Sequence, residues 1–154
     1  MEKADLIAKV RDEIRSQFER MLTAAKAAAS YATDEETKPD GKYDTQSTEA
    51  SYLAAGQAEK AEELALDVEL FETLELPNFD DSAPIAPGAL VEVELEDGDI
   101  AFYLLAPRGG GTVINHLGCK LTVLTPDSPL AQKLEGKRAG DQLDEPNMTI
   151  YTVS

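Results

Sequence analysis

Six carboxylates, Asp34, Glu35, Glu36, Asp40, Asp44 and Glu49, crowd into sixteen consecutive residues. Clustered carboxylates supply the hard oxygen ligands that a divalent cation takes. The spacing lacks the alternating acids, glycine and twelfth-position glutamate of an EF-hand, so the stretch does not read as a self-sufficient calcium site. The plain alternative is a solvated polar loop. His116 and Cys119 stand three apart, but the chain holds one histidine and one cysteine. That is too few for a zinc set or for a nucleophile with a histidine base, and the pair reads as a partly buried cysteine beside a surface histidine. Gly109, Gly110 and Gly111 follow Arg108. They match neither phosphate-binding glycine pattern and read as a flexible connection between strands.

The acids need something to carry them. Ile7, Val10, Ile14, Phe18, Met21, Ala25 and Ala28 succeed one another at steps of three and four, one apolar stripe on a helix. A second stripe runs through Ala50, Ala54, Ala58, Ala61, Leu64, Val68 and Phe71. Two striped helices joined by a connection predict an antiparallel coiled-coil hairpin over residues 1–76. At 1.5 Å rise per residue each arm of nearly thirty residues would reach roughly 40 Å. Alanines at 24, 25, 27, 28 and 29 and at 50, 54, 55 and 58 thin the far end. The tip falls near 31–47, where Pro39, Asp40 and Gly41 mark a turn. Ser47 or Thr48 would cap the returning helix, with Glu49 in its first turn.

Near residue 77 the composition changes: seven of the eight prolines and eight of the ten glycines lie from Pro77 onward. Residues 77–84 read as a linker and 85–154 as a second domain. Leu90, Glu92 and Glu94 alternate with Val91, Val93 and Leu95, and Asp97 with Gly98 turns that strand into Ile100 to Leu105. Further strands are expected at Leu121 to Leu124 and Met148 to Val153. Between them Ser128 is an N-cap, Pro129 the first helical residue, Leu130 and Leu134 the apolar face, and Gly136 the stop. The fold class is α+β, a helical hairpin followed by a small antiparallel sheet with one short helix.

Acidic residues outnumber basic ones 30 to 14, a net charge of −16, which speaks against duplex binding by charge attraction. The excess is uneven. Residues 1–30 hold six basic and five acidic side chains, whereas no basic residue occurs between Lys60 and Arg108. Charges run through the first twenty residues and no uncharged run approaches the ~20 residues of a membrane helix. A cytoplasmic protein is expected.

Asp127, Ser128, Pro129, Leu130 and Ala131, followed by Leu134, Gly136, Lys137, Gly140 and Asp141, resemble the C-terminal signature of the bacterial Gre transcript-cleavage factors of RNA polymerase. Glu49, Ala50, Ser51 and Tyr52 are similar to that family's Glu-Asn-Ala-x-Tyr motif. The resemblance covers the whole chain in architecture and these two regions in motif. It implies an FKBP-like domain for residues 85–154, docked on RNA polymerase through Asp127, Ser128 and Pro129. It also implies a hairpin that inserts into the polymerase secondary channel. There tip carboxylates, here Asp44 and Glu49 with Asp40 as a third, would help hold Mg2+ at the polymerase active site and promote cleavage of backtracked RNA.

The factor would then be no enzyme itself, would need no cofactor of its own, and would meet the nascent RNA 3′ end only within the polymerase complex, as a monomer away from membranes. Anchored on Tyr52, the family's glutamate falls on Thr48 and its aspartate on Thr45, so Asp44 and Glu49 are each displaced by one position. The alternative implied by that displacement is a non-catalytic regulator or inhibitor in the same channel. A prolyl isomerase or chaperone is a third reading, weakened by the scarcity of aromatics and the absence of tryptophan to floor a proline pocket.

Overall fold

The structure is a computed structural model; it describes residues 3–33 and 44–154, and side chains of 3–29 and 55–154. Two helices, α1 (Lys3–Thr33) and α2 (Asp44–Thr73), precede strands β1 (Leu90–Leu95), β2 (Ile100–Leu105), β3 (Val113–His116) and β4 (Cys119–Leu124). Helix α3 (Pro129–Leu134) and strands β5 (Gln142–Asp144) and β6 (Asn147–Val153) complete the order. The chain forms two compact units, Ile14–Glu69 and Met1–Glu13 with Leu70–Ser154. Both long helices therefore pass from one unit into the other. No described helix is long and apolar enough to cross a membrane.

In the helical unit Ile14 and Ala25 of α1 are buried, and Phe18, Met21 and Ala28 are half-buried. On α2, Ala61, Leu64 and Val68 are buried. Ala58, expected on the same stripe, is exposed, and Gln57 takes the half-buried place instead. The inward positions thus run 57, 61, 64, 68 and 71, a heptad rhythm of four and three. Counting alanines shifts the top of the stripe by one residue, or about 100° around the helix. Helix α2 also begins at Asp44, so Ser47 and Thr48 lie inside it and are not its cap, and Glu49 lies past the first turn. Nothing from Thr45 to Glu49 breaks a helix.

In the other unit the strands form one six-stranded sheet ordered β3-β4-β2-β1-β6-β5. The expectation of an antiparallel sheet is corrected, because β2 and β4 are parallel, with Ala101 beside Lys120 through Leu105 beside Leu124. The four other pairings are antiparallel. The reason is an unanticipated strand. After β2 the chain runs back along the sheet edge as β3, turns at Leu117 and Gly118, and inserts β4 between β3 and β2. Without β3 in the count, β4 reverses direction. The short strand β5 was likewise not anticipated.

One face of the sheet carries the main core: Val91, Val93, Ala101, Leu105, Ile150 and Val153 pack with Ile85 and with Ala131 and Leu134 of α3. Burying Leu134 contributes roughly 1.5–3 kcal/mol and seats α3 on the sheet. The register puts Phe102, Leu104, Leu121 and Val123 on the opposite face, where they too are buried. Leu6, Ile7, Val10 and Phe71, from the helix ends that belong to this unit, are buried as well.

The segment read as a linker is tied down. Lys3 Nζ donates to the carbonyls of Pro77 (2.5 Å) and Gly88 (2.7 Å) and sits 4.9 Å from the centre of the Phe79 ring. Burial pushes its pKa down to about 8. Asp81 accepts a bond from the Val153 amide at 3.0 Å. Gly88 has φ +98°, and a Cβ there would stand 2.8 Å from Cδ of Pro77, so glycine is what lets the two segments close.

Candidate functional site

The exit of β4 presents the motif that the sequence singled out. The Ser128 amide donates to the Thr125 carbonyl at 2.9 Å, closing a turn with Pro126 at its second position, where its fixed φ is favourable. Asp127 stands at the third position of that turn and is exposed. The Thr125 hydroxyl donates to Asp127 Oδ1 at 2.5 Å. That bond, with the Asp127 backbone amide, holds the carboxyl below its ordinary pKa. Asp127 is therefore a fixed, ionised acid at the protein surface.

Ser128 does a different job. Its Oγ accepts from the Ala131 amide at 3.4 Å, capping α3 as expected, with Pro129 at the start of the helix. The hydroxyl is thus turned to its own backbone, whereas Asp127 and Pro129 face outward. Of the three expected docking residues, two are presented and one organises the presentation. Helix α3 ends as expected before Gly136, whose φ is +83°, and the Gly136 amide donates to the Ile85 carbonyl at 2.8 Å.

Beside this turn lies an apolar cleft of about 200 Å³, with Leu105, Ala106, Leu124, Pro126 and Ala131 among its walls and Glu135 joining them. Sequence reasoning missed this cleft. The ends of β2 and β4, paired in parallel, and α3 form one side of it, and Leu74, Leu76, Pro87 and Gly88, from the segment between α2 and β1, form the other. Thr125 was missed too, although its place two residues before Asp127 is the local signal that could have found it.

The glycine run is not a loose connection. The Ala106 amide bonds the Leu124 carbonyl and the Gly111 amide the Val123 carbonyl, both at 2.9 Å, so the chain from β2 to β3 wraps the end of β4. Gly109 and Gly111 have φ of +84° and +87°, conformations that glycine adopts without a steric cost.

His116 is not a surface residue. It is buried, edge-on to Phe102 with ring centres 4.8 Å apart. Burial, with the positive charge of Lys9, lowers its pKa, and Nδ1 is shut from water without a partner. Its Cα partner across the β3–β4 hairpin is Cys119, which is partly buried as expected. Among the described residues no three His, Cys, Asp or Glu side chains gather to hold a metal.

The expected catalytic and metal-binding acids fall elsewhere. The backbone of Asp44 and Glu49 lies in the first two turns of α2; their side chains, like all of Asp34, Glu35, Glu36 and Asp40, lie outside the described residues. Asp127, Ser128 and Pro129 stand together at the start of α3.

No protein-family model matches the chain, and no curated protein does. Among solved structures the chain is similar to GreA factor homolog 1 (Gfh1) of Thermus thermophilus, at 16% identity over 94% of each chain, with a TM-score of 0.37.

Proposed function

We propose that this protein is a transcription elongation factor that binds RNA polymerase. Asp127 and Pro129 are its docking contacts, with the adjoining apolar cleft taking apolar side chains of the polymerase surface and the exposed carboxylate pairing with a basic group. The observation that carries the reading is Asp127, exposed, ionised and pinned by Thr125 at the start of a capped helix seated on the core. A fixed exposed charge beside an apolar cleft is how specific interfaces combine orientation with burial. On this reading residues 85–154 form an FKBP-like domain, and α1 and α2 form the hairpin that enters the secondary channel.

Within the channel Asp44 and Glu49, with Asp40, would contribute oxygen ligands to Mg2+ at the polymerase active site, and their chemistry suits that ion. Bound there, the ion activates water and stabilises charge on the phosphate. The chain's own part is to deliver carboxylates and orient water, so backtracked RNA is cut by the polymerase and not by this protein alone.

The second reading, a non-catalytic channel regulator, is favoured by the one-residue displacement of Asp44 and Glu49 relative to Tyr52. One experiment separates the two. Core RNA polymerase stalled in a backtracked complex is incubated with the protein, and the RNA fragments are resolved on a gel. Faster cleavage supports the first reading, binding with slowed cleavage supports the second, and no binding removes both.

A further inference from the structure

Asp127 is held from behind by two residues that no docking motif contains. Thr125 Oγ1 donates to Asp127 Oδ1 at 2.5 Å, and the Thr125 carbonyl closes the turn by accepting from Ser128. Thr125 itself is backed by the glycine run. A Cβ built on Gly110 would stand 3.0 Å from both Cγ2 and Oγ1 of Thr125. That is inside the distance at which carbon atoms rest against one another. Ala106 and Gly111, on either side of this point, are hydrogen-bonded to Leu124 and Val123, so the backbone at residue 110 is anchored near the end of β4 and cannot simply swing away.

We propose that Gly110 and Thr125 are positioning residues for Asp127: the bare backbone at 110 leaves room for the one Thr125 rotamer whose hydroxyl reaches the carboxylate and aims it outward. The inference rests on the reading of Asp127 as a docking contact. It goes beyond that reading by assigning the β2–β3 loop, absent from the docking motif, a part in recognition. Threonine suits the task because its branched Cβ restricts χ1, so a hydroxyl placed by packing stays placed. An alanine at 110 presses on the hydroxyl and the methyl together, and the shift of Thr125 that relieves the pressure strains its bond to Asp127.

The test uses the full chain and two readouts. The first is the titration midpoint of the Asp127 carboxyl, followed by carbon NMR in the wild type and in Thr125→Val, Thr125→Ser and Gly110→Ala. The second is affinity for core RNA polymerase. Thr125→Val keeps shape and loses the hydroxyl, so the midpoint should rise toward the ordinary ~3.9 of an aspartate, and affinity should fall by roughly two- to threefold, less than on removing Asp127 itself, because the bond lost only orients the carboxylate. Thr125→Ser restores the donor and should recover most of both. Gly110→Ala should shift the midpoint in the same direction as Thr125→Val.

An unchanged midpoint in Thr125→Val overturns the inference, as does a serine variant that behaves like valine. An unmoved midpoint in folded Gly110→Ala overturns the part assigned to the loop, and the Thr125 pair still decides if that variant does not fold. If the midpoints move as expected while Asp127→Ala binds polymerase as well as wild type, the positioning stands and the docking role of Asp127 falls.

Discussion

Ser128 caps α3, whereas its neighbour Asp127 is the proposed docking contact, and single substitutions should separate the two roles. Ser128→Ala removes the Oγ that accepts from the Ala131 amide. An N-cap is worth about 0.5–2 kcal/mol, and because this bond is long at 3.4 Å the lower half of that range, about 0.5–1 kcal/mol, is expected. The loss reaches the core, since the six-residue α3 carries buried Ala131 and Leu134. For a unit of roughly 100 residues, 1 kcal/mol lowers Tm by about 4–8 °C, so Ser128→Ala should melt about 2–8 °C below wild type.

Asp127→Ala removes an exposed side chain whose hydrogen bond is to Thr125 two residues away. Such surface changes stay within about 0.5 kcal/mol, and Tm should scarcely move. Binding should show the reverse order. At a temperature where both variants are folded, Asp127→Ala should lose tenfold or more in affinity for core RNA polymerase, the loss of a charge-assisted contact. Ser128→Ala should lose less. Calorimetric melting and fluorescence anisotropy give the two readouts. Equal losses of Tm in the two variants, or stronger binding by Asp127→Ala than by Ser128→Ala, would refute the division of labour.

Two further outcomes follow from buried polar groups. His116 has a lowered pKa because the charged ring would be buried. The unfolded chain takes up that proton first, so the His116 contribution to stability is intact above the ordinary value near 6.5 and is lost as pH falls through the lower folded value. Urea unfolding at pH 7.5 and pH 5.5 should show this loss, and His116→Leu should flatten it. Gln57 has its Oε1 buried without a partner at a heptad position. Gln57→Leu should raise the melting temperature of the helical unit, since an unsatisfied buried polar atom costs about 1–3 kcal/mol.

What was legible in the sequence was local. The α1 stripe, the hairpin turn at Asp97 and Gly98, and the cap of α3 are each written in residues within one or two turns of one another, and each appears in place. What was not legible depends on distant partners. Strand β3 is four residues with only His116 buried, so it has no apolar alternation to announce it, and missing it inverted the direction of β4. The burial of His116 depends on Phe102 coming alongside through the β2–β4 pairing. Gln57 faces inward against its chemistry because the heptad set by Ala61, Leu64 and Val68 places it there. At the candidate site the motif Asp127, Ser128 and Pro129 was visible, while Gly110 and Thr125 meet only once the β2–β3 loop has wrapped the end of β4.

Cleavage in a backtracked RNA polymerase complex tests the central claim most directly. Core polymerase is stalled on a template with 3′-labelled RNA, and release of short labelled fragments is timed with and without the protein, for wild type, Asp44→Ala and Glu49→Ala. The account predicts faster release with wild type and loss of that stimulation in both variants, with binding retained. Equal stimulation by wild type and both variants, or no change in release while the protein is bound, would contradict it.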